Sequence, residues 1–223
     1  MGNHILKIVT INNLTHDVLR ITTNKPVGFD FKPGQAANLA INKSGWLKEE
    51  RPFSFTNLPT NNSLEFTIKT YPEQESVTNE LLDLKQDDEL ILHEVFGAIT
   101  YKGEGVFIAG GAGITPFISI FRNLKAKNEI GKNILLFANK TKADIILENE
   151  FEALLGDAFI NILSDEQVNN YQYGRVTEEF LKENVTDFNQ QFYICGPPPM
   201  IKDVEQQLIN LGVNKSHITK EIF

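Results

Sequence analysis

The sequence predicts two domains in series: an antiparallel β-barrel over residues 1–102 and an α/β domain on a parallel sheet over residues 103–223. Three observations carry this. As far as Glu94 the apolar residues fall in short β-branched or aromatic runs separated by turn clusters. Beyond Tyr101-Lys102-Gly103, strand-like runs alternate with segments of helical periodicity. At the head of this second half, Phe107-Ile108-Ala109 runs into Gly110-Gly111-Ala112-Gly113 and then Ile114-Thr115-Pro116, the grammar of strand, tight turn and helix start.

In the first half, strands are expected at Ile5 to Val9 and Ile11, Val18 to Thr22, Gln35 to Ile41, Phe53 to Asn57, Leu64 to Ile68 and Glu89 to His93. Asn12-Asn13, Lys32-Pro33-Gly34 and Pro59 to Ser63 punctuate them. Six short strands at this spacing suggest closure into a barrel, which removes exposed edges. Thr78 to Leu84 has leucines at helical spacing behind a Ser or Thr start and interrupts them as a helix. In the second half, strands are expected at Val106 to Ala109, Asn133 to Ala138, Phe159 to Leu163, Phe192 to Cys195 and His217 to Phe223. Helices are expected at Pro116 to Lys127, Asn149 to Leu155, Thr177 to Asn184 and Pro198 to Leu211. Strand-helix alternation predicts a parallel sheet covered on both faces.

Composition narrows the function. The chain of 223 residues is 41% hydrophobic and 22% charged, which is globular and not disordered. A net charge of −8 without any Lys/Arg cluster argues against a nucleic-acid partner. The single cysteine, Cys195, allows no internal disulfide, and four scattered histidines show no metal-ligand spacing, so no metal is expected and a reducing cytoplasm fits best. The N-terminus lacks the cationic and apolar blocks of a signal peptide. The uncharged run from Gly105 to Phe121 is shorter than the ~20 residues of a spanning helix, so no membrane span is expected.

Four motifs can carry chemistry. The glycine turn is either a cradle for a phosphate, with unpaired N–H groups and a positive dipole end aimed at the anion, or a close-packed turn. Arg51-Pro52-Phe53-Ser54 places a permanent cation, a ring and a hydroxyl within one strand; Arg51 and Phe53 share a face and Ser54 takes the other unless the strand is bulged. Asn139-Lys140-Thr141-Lys142 follows a strand at the carboxyl end of the expected sheet, where lysines can meet a 2′-phosphate or simply be solvated. Cys195-Gly196-Pro197-Pro198-Pro199-Met200 ends a strand and opens a helix whose first turn tolerates proline. A buried thiol there suits contact better than nucleophilic attack.

Together these residues resemble the ferredoxin-NADP⁺ reductase superfamily over nearly the whole chain. Arg51 to Ser54 is similar to its flavin motif, Gly110 to Pro116 to its pyridine-nucleotide glycine turn, and Cys195 to Met200 to its nicotinamide-side motif. Phe137 to Leu147, with Tyr173-Gly174, resembles the NADH-cytochrome b reductases. The resemblance implies an FAD-binding barrel and a Rossmann-like NAD(P)-binding domain. It implies that Arg51 and Pro52 meet the FAD pyrophosphate, that Phe53 flanks the isoalloxazine and that Ser54 sits by flavin N5. Ser76, Val77 and Thr78 would hold FAD phosphates, and Lys69 is a further cofactor-binding candidate. Gly110, Gly111, Gly113, Thr115, Pro116, Asn139, Lys140, Cys195, Gly196, Pro197 and Met200 would hold NADH or NADPH. Glu221 and Phe223 match a carboxylate and a flavin-covering ring, making Ser54, Cys195, Glu221 and Phe223 the catalytic candidates, converging on one crevice. Glu75 and Ser76 stand where the family has glycine, and Glu94-Val95 replaces a common Gly-Pro.

The implied reaction is hydride transfer from nicotinamide to flavin N5, then single electrons to a carrier such as flavodoxin, ferredoxin or a haem protein. Lys7, Lys32, Lys43 and Lys48 are the candidate docking cations. The alternatives are an FAD-binding electron-transfer subunit of a larger complex, whose cysteine-rich form the single cysteine disfavours, and a flavin reductase using free flavin.

Overall fold

A computed structural model describes residues 3–71, 76–97 and 99–221. The chain divides into two compact units, Met1–Gly97 with Thr115–Asn123, and Ala98–Ile114 with Leu124–Phe223.

The first unit is built on six antiparallel strands: β1 (His4–Thr15), β2 (Val18–Asn24), β3 (Ala36–Ile41), β4 (Arg51–Ser54), β5 (Ser63–Lys69) and β6 (Glu89–Phe96), in the order β4-β3-β6-β1-β2-β5. Alternation sets the faces. On β1, Leu6 and Ile8 are buried while Ile5, Lys7 and Val9 face outward. Where the sequence suggested two short pieces, β1 is one strand of twelve residues, because β6 pairs with its first half and β2 with its second. The sheet closes on itself just past β4 and β5, at a bridge between Phe55 and Phe66 and a hydrogen bond from Thr56 N to Glu65 O (2.9 Å). Phe55 is fully buried there, stacked on Phe31 at 4.3 Å between ring centroids and 5.2 Å from Phe66.

The helix expected over Thr78 to Leu84 is shorter. An α-helix, α1 (Val77–Glu80), passes into a 3-10 turn (Leu81–Asp83), after which Leu84 is extended. Only Val77 and Leu81 are fully buried along it, too little apolar contact to extend a segment of this length against the cost of helix formation.

Helix α2 (Thr115–Ala126) contributes its residues 115–123 to this unit. Arg122 reaches the closing seam, donating from Nη1 to Thr56 O (2.8 Å) and to Glu65 Oε1 (2.6 Å), and Thr56 Oγ1 donates to the same Glu65 oxygen (2.8 Å). Arg20 Nε lies 3.8 Å from the other Glu65 oxygen. The fully buried Ser119 hydroxyl accepts from Gly34 N–H (3.0 Å), tying down the Lys32–Gln35 turn.

The second unit is a six-stranded parallel sheet: β7 (Gly105–Gly110), β8 (Ile134–Asn139), β9 (Phe159–Leu163), β10 (Gln172–Tyr173), β11 (Gln191–Cys195) and β12 (Ile218–Lys220), ordered β10-β9-β8-β7-β11-β12. Every residue of β7 is buried, as a central parallel strand demands. Helices α3 (Glu148–Leu155), α4 (Glu178–Asn184) and α5 (Pro198–Asn210) supply the covering layers. Thr177 caps α4 by accepting from Phe180 N–H (3.2 Å). The two-residue β10 is too short to carry a periodic signal in the sequence.

Removing the Arg122 guanidinium strands the part-buried Glu65 carboxylate at the barrel seam. Arg122→Ala is expected to lower stability by about 2 kcal/mol, read as a fall in the denaturant midpoint. An unchanged midpoint would show that the seam holds without it.

Candidate functional site

In the first unit, β4 pairs with β3 in unbroken register, Leu39 opposite Arg51 and Ala36 opposite Ser54. The strand is therefore not bulged, and Arg51 and Phe53 share a face. Arg51 is exposed, donating from Nη1 to the adjacent Glu50 carbonyl (2.7 Å) and lying 3.7 Å from Glu49. Pro52 is exposed, Phe53 is half-buried against the barrel core, and Ser54 is buried. Ser76 stands extended before α1, its hydroxyl 3.0 Å from that of Thr78, and Val77 is buried. Lys69 lies at the end of β5, its ammonium 2.6 Å from Asp17. Burial pushes the Asp17 carboxyl upward, but the bond and charge of Lys69 outweigh this, and it titrates below its usual range.

In the second unit the order of the sheet reverses between β7 and β11: β8 to β10 lie on one side of β7, and β11 and β12 on the other. Ligands of open parallel sheets bind at the carboxyl ends of the strands at such a switch point. Here those ends are Gly110 and Cys195, with Ala109 paired to Cys195. Two motifs that are 85 residues apart by their numbering, Gly110 and Cys195, meet as one packed object. A Cβ on Gly113 would lie 2.2 Å from Cys195 O, and one on Gly110 would lie 2.4 Å from Met200 Sδ and 3.0 Å from Pro197 Cδ. Gly196 approaches the Gly110 backbone in turn, its own Cβ position 3.1 Å from Gly110 N. Gly111 alone has open space beside it, in a left-handed conformation at φ +51°. The sequence left open whether these glycines cradle a ligand or pack a turn. Gly110 and Gly113 pack, and Gly111 faces free space.

Asn139 ends β8. It is 7% exposed, and both its Oδ1 and its Nδ2 are buried without a hydrogen-bond partner. Lys140 is exposed. Cys195 Sγ donates to Glu221 Oε2 (2.6 Å), Glu221 being held beside β11 through its N–H to Ile194 O (3.2 Å). Phe223 lies outside the described residues, as does Glu75.

Residues 3–129 match a family model described as an FAD-binding domain, and residues 107–206 one described as an oxidoreductase NAD-binding domain. The chain is 30% identical to NADH-cytochrome b5 reductase 1 of Aspergillus terreus, over 96% of this chain and 79% of that protein. The chain belongs to the ferredoxin-NADP reductase and cytochrome b5 reductase family. It is 29% identical to the reductase component of propane 2-monooxygenase from Rhodococcus jostii, over 97% of this chain and 62% of the relative. It spans 60–62% of the length of three such reductase components. Its fold overlays a ferredoxin NADP⁺ reductase from Neisseria gonorrhoeae, solved with bound FAD and NADP, with a TM-score of 0.86 at 20% identity, covering 99% and 98% of the two chains.

The residues present fit the two ligands that this family's domains bind. On the barrel, the exposed Arg51 guanidinium is held by the Glu50 carbonyl and has a single long carboxylate contact, to Glu49 at 3.7 Å, which leaves its charge largely uncompensated and open to a pyrophosphate. On the sheet, the partnerless Asn139 amide offers both a donor and an acceptor at the carboxyl edge, and a buried amide left unmatched is costly unless a ligand or water completes it.

Cys195 stands as a hydrogen-bond donor to Glu221. Burial drives its thiol far above the ordinary range, and the neighbouring Glu221 charge and hydrogen bond push the same way. Burial also lifts the Glu221 carboxyl above its ordinary range, partly offset by the thiol hydrogen bond. A carboxyl raised in the folded state contributes stability that is complete at acid pH and is lost as pH rises through the raised value. Glu221→Gln, neutral throughout, is therefore expected to gain stability relative to the parent as pH rises from the ordinary carboxyl range through the raised one. A parallel pair of stability-pH curves would contradict the burial of this charge.

The interlocked turn yields a sharper contrast. Gly113→Ala forces a methyl onto a backbone carbonyl and is expected to cost about 3 kcal/mol. Gly111→Ala meets only a left-handed backbone and is expected to cost about 1 kcal/mol. Melting temperatures in the reverse order would rule out this packing.

Proposed function

We propose that this chain is an FAD-dependent NAD(P)H oxidoreductase that delivers single electrons to an acceptor protein. The observation that carries the reading is the switch point of the parallel sheet, where the glycine turn and the Cys195–Met200 motif lock together beside an open, left-handed Gly111. Bound FAD would accept hydride from a nicotinamide and release its electrons one at a time.

The chain's own residues orient and shield. Arg51 anchors the FAD pyrophosphate, Phe53 lies along the flavin, and Ser54 holds a hydroxyl toward its reactive edge. Ser76, Val77, Thr78 and Lys69 complete the FAD phosphate grip. In the second unit Asn139 and Lys140 take the adenosine end of the nucleotide, and Thr115 and Pro116 open the helix behind the glycine turn. Cys195 and Glu221 act as a hydrogen-bonded pair on the nicotinamide side. The thiol fixes the carboxylate's orientation, so the site changes hydrogen bonding and not covalent state.

Flavodoxin, ferredoxin or a haem protein is the acceptor class. A related reading, a reductase subunit serving an oxygenase, is favoured by the likeness to propane 2-monooxygenase reductase components. Among the described residues no helix is long and apolar enough to cross a membrane, and with one cysteine we place the protein in the cytoplasm. Of the proposed docking lysines, Lys7 is paired with Asp87 (2.9 Å) and Lys43 with Glu80, which leaves the exposed Lys32 and Lys48 as the stronger candidates.

The test is retention of FAD after desalting, followed by NADH- or NADPH-driven reduction of cytochrome c. Arg51→Ala is expected to weaken FAD binding by about ten- to a hundredfold, the equivalent of losing a charge-assisted hydrogen-bond pair, measured by flavin fluorescence. A colourless protein that takes up no FAD would refute the reading.

A further inference from the structure

The sequence nominates Lys140 and Lys142 as partners for a 2′-phosphate, and the structure shows what surrounds them. Chain pairing runs one residue beyond the end of β8 and two beyond the end of β9: Ser164 N donates to Asn139 O (3.0 Å) and Asp165 N to Lys140 O (2.9 Å). This brings Asp165 and Glu166 alongside the Lys140–Lys142 loop. Glu166 Oε2 accepts the Lys142 backbone N–H (2.7 Å), and Asp144 accepts both the Thr141 N–H (2.9 Å) and the Thr141 hydroxyl (2.7 Å). Carboxylates thus already hold the loop's donors that a phosphate would seek. The Lys142 ammonium lies 5.2 Å above the Tyr171 ring, whose hydroxyl in turn donates to Glu148. Lys140 and Lys142 are both exposed, and of the two Lys142 is the one engaged by the Tyr171 ring.

Beside this loop stands the buried Asn139 amide, partnerless at both atoms, which marks the same edge as a place where a ligand completes the hydrogen bonding. We infer that the adenosine-ribose end of this site selects the coenzyme that lacks a 2′-phosphate, NADH over NADPH, with Asp165 and Glu166 as the specificity-determining residues. The inference rests on the nucleotide-binding reading above. A 2′-phosphate carries about −1.5 to −2 charges and would meet three carboxylates against two lysines. A 2′-hydroxyl is a donor, the group that a carboxylate oxygen accepts. Selectivity here comes from repulsion of the wrong coenzyme as much as from attraction of the right one.

The experiment is calorimetric titration of the purified FAD-loaded protein with 5′-ADP against adenosine 2′,5′-bisphosphate, and with NAD⁺ against NADP⁺. The expected result is that each 2′-phosphorylated ligand binds at least about tenfold more weakly, with a gap that narrows as salt rises. Asp165→Asn and Glu166→Gln keep their hydrogen-bond acceptors and lose only charge, so together they are expected to shrink the gap by about threefold or more while leaving the melting temperature unchanged. Equal or tighter binding of the 2′-phosphorylated ligands overturns the inference alone, as does an undiminished gap in the folded double variant. Binding of neither ligand set by a protein that retains FAD overturns the nucleotide reading itself.

Discussion

The carboxyl edge of the parallel sheet depends on a close contact that requires two residues without side chains. Gly113 and Gly110 lie against Cys195, Pro197 and Met200 at distances that exclude a Cβ. Because Ala109 and Cys195 are already paired, this second layer of contact fixes the turn after β7 to the turn after β11 as one rigid step. It sets where α5 begins, and Gly111 is left with room beside it. Interiors pack at crystal density, so an added methyl at Gly113, which meets backbone, cannot be absorbed locally, whereas one at Gly110 would have to displace the Met200 side chain.

That contact also shows which parts of the architecture a reader of the sequence can reach. The strands of both units were legible because their apolar residues alternate or run continuously, and the change of grammar after Gly103 marked where a parallel sheet begins. Barrel closure was legible as a tendency, but its agents were not. The Arg122–Glu65–Thr56 network depends on residues far apart in the chain that carry no periodic or turn signature. The length of α1 was misjudged because leucine spacing reports potential burial, and only tertiary contact decides how much of it is realised.

The candidate site divides in the same way. Arg51, Gly110 to Gly113 and Cys195 to Met200 stand in short motifs whose chemistry is local, so their residue types announce them. The division of labour among the glycines was not announced, since a packing glycine and a ligand-facing glycine are the same letter. Asp165 and Glu166 escaped notice because their importance comes from lying beside the end of a neighbouring strand, a relation fixed by sheet order and not by sequence distance. The strand-end rule for open parallel sheets was the signal available for them, once β9 had been recognised as the neighbour of β8.

A chain of net charge −8 that binds polyanionic cofactors invites an electrostatic objection, and its geometry answers it. At physiological salt, charges more than about 8 Å away are screened, so a phosphate responds to its immediate neighbours and not to the total. Pro198 and Pro199 have no N–H, and Ile201 donates to Pro197 O, so the first turn of α5 offers little to an anion. A pyrophosphate is common to both coenzymes, so contacts to it could not tell them apart. On the proposed reading discrimination falls to side chains beside the Lys140–Lys142 loop, and those gathered there, Asp144, Asp165 and Glu166, are mainly acidic.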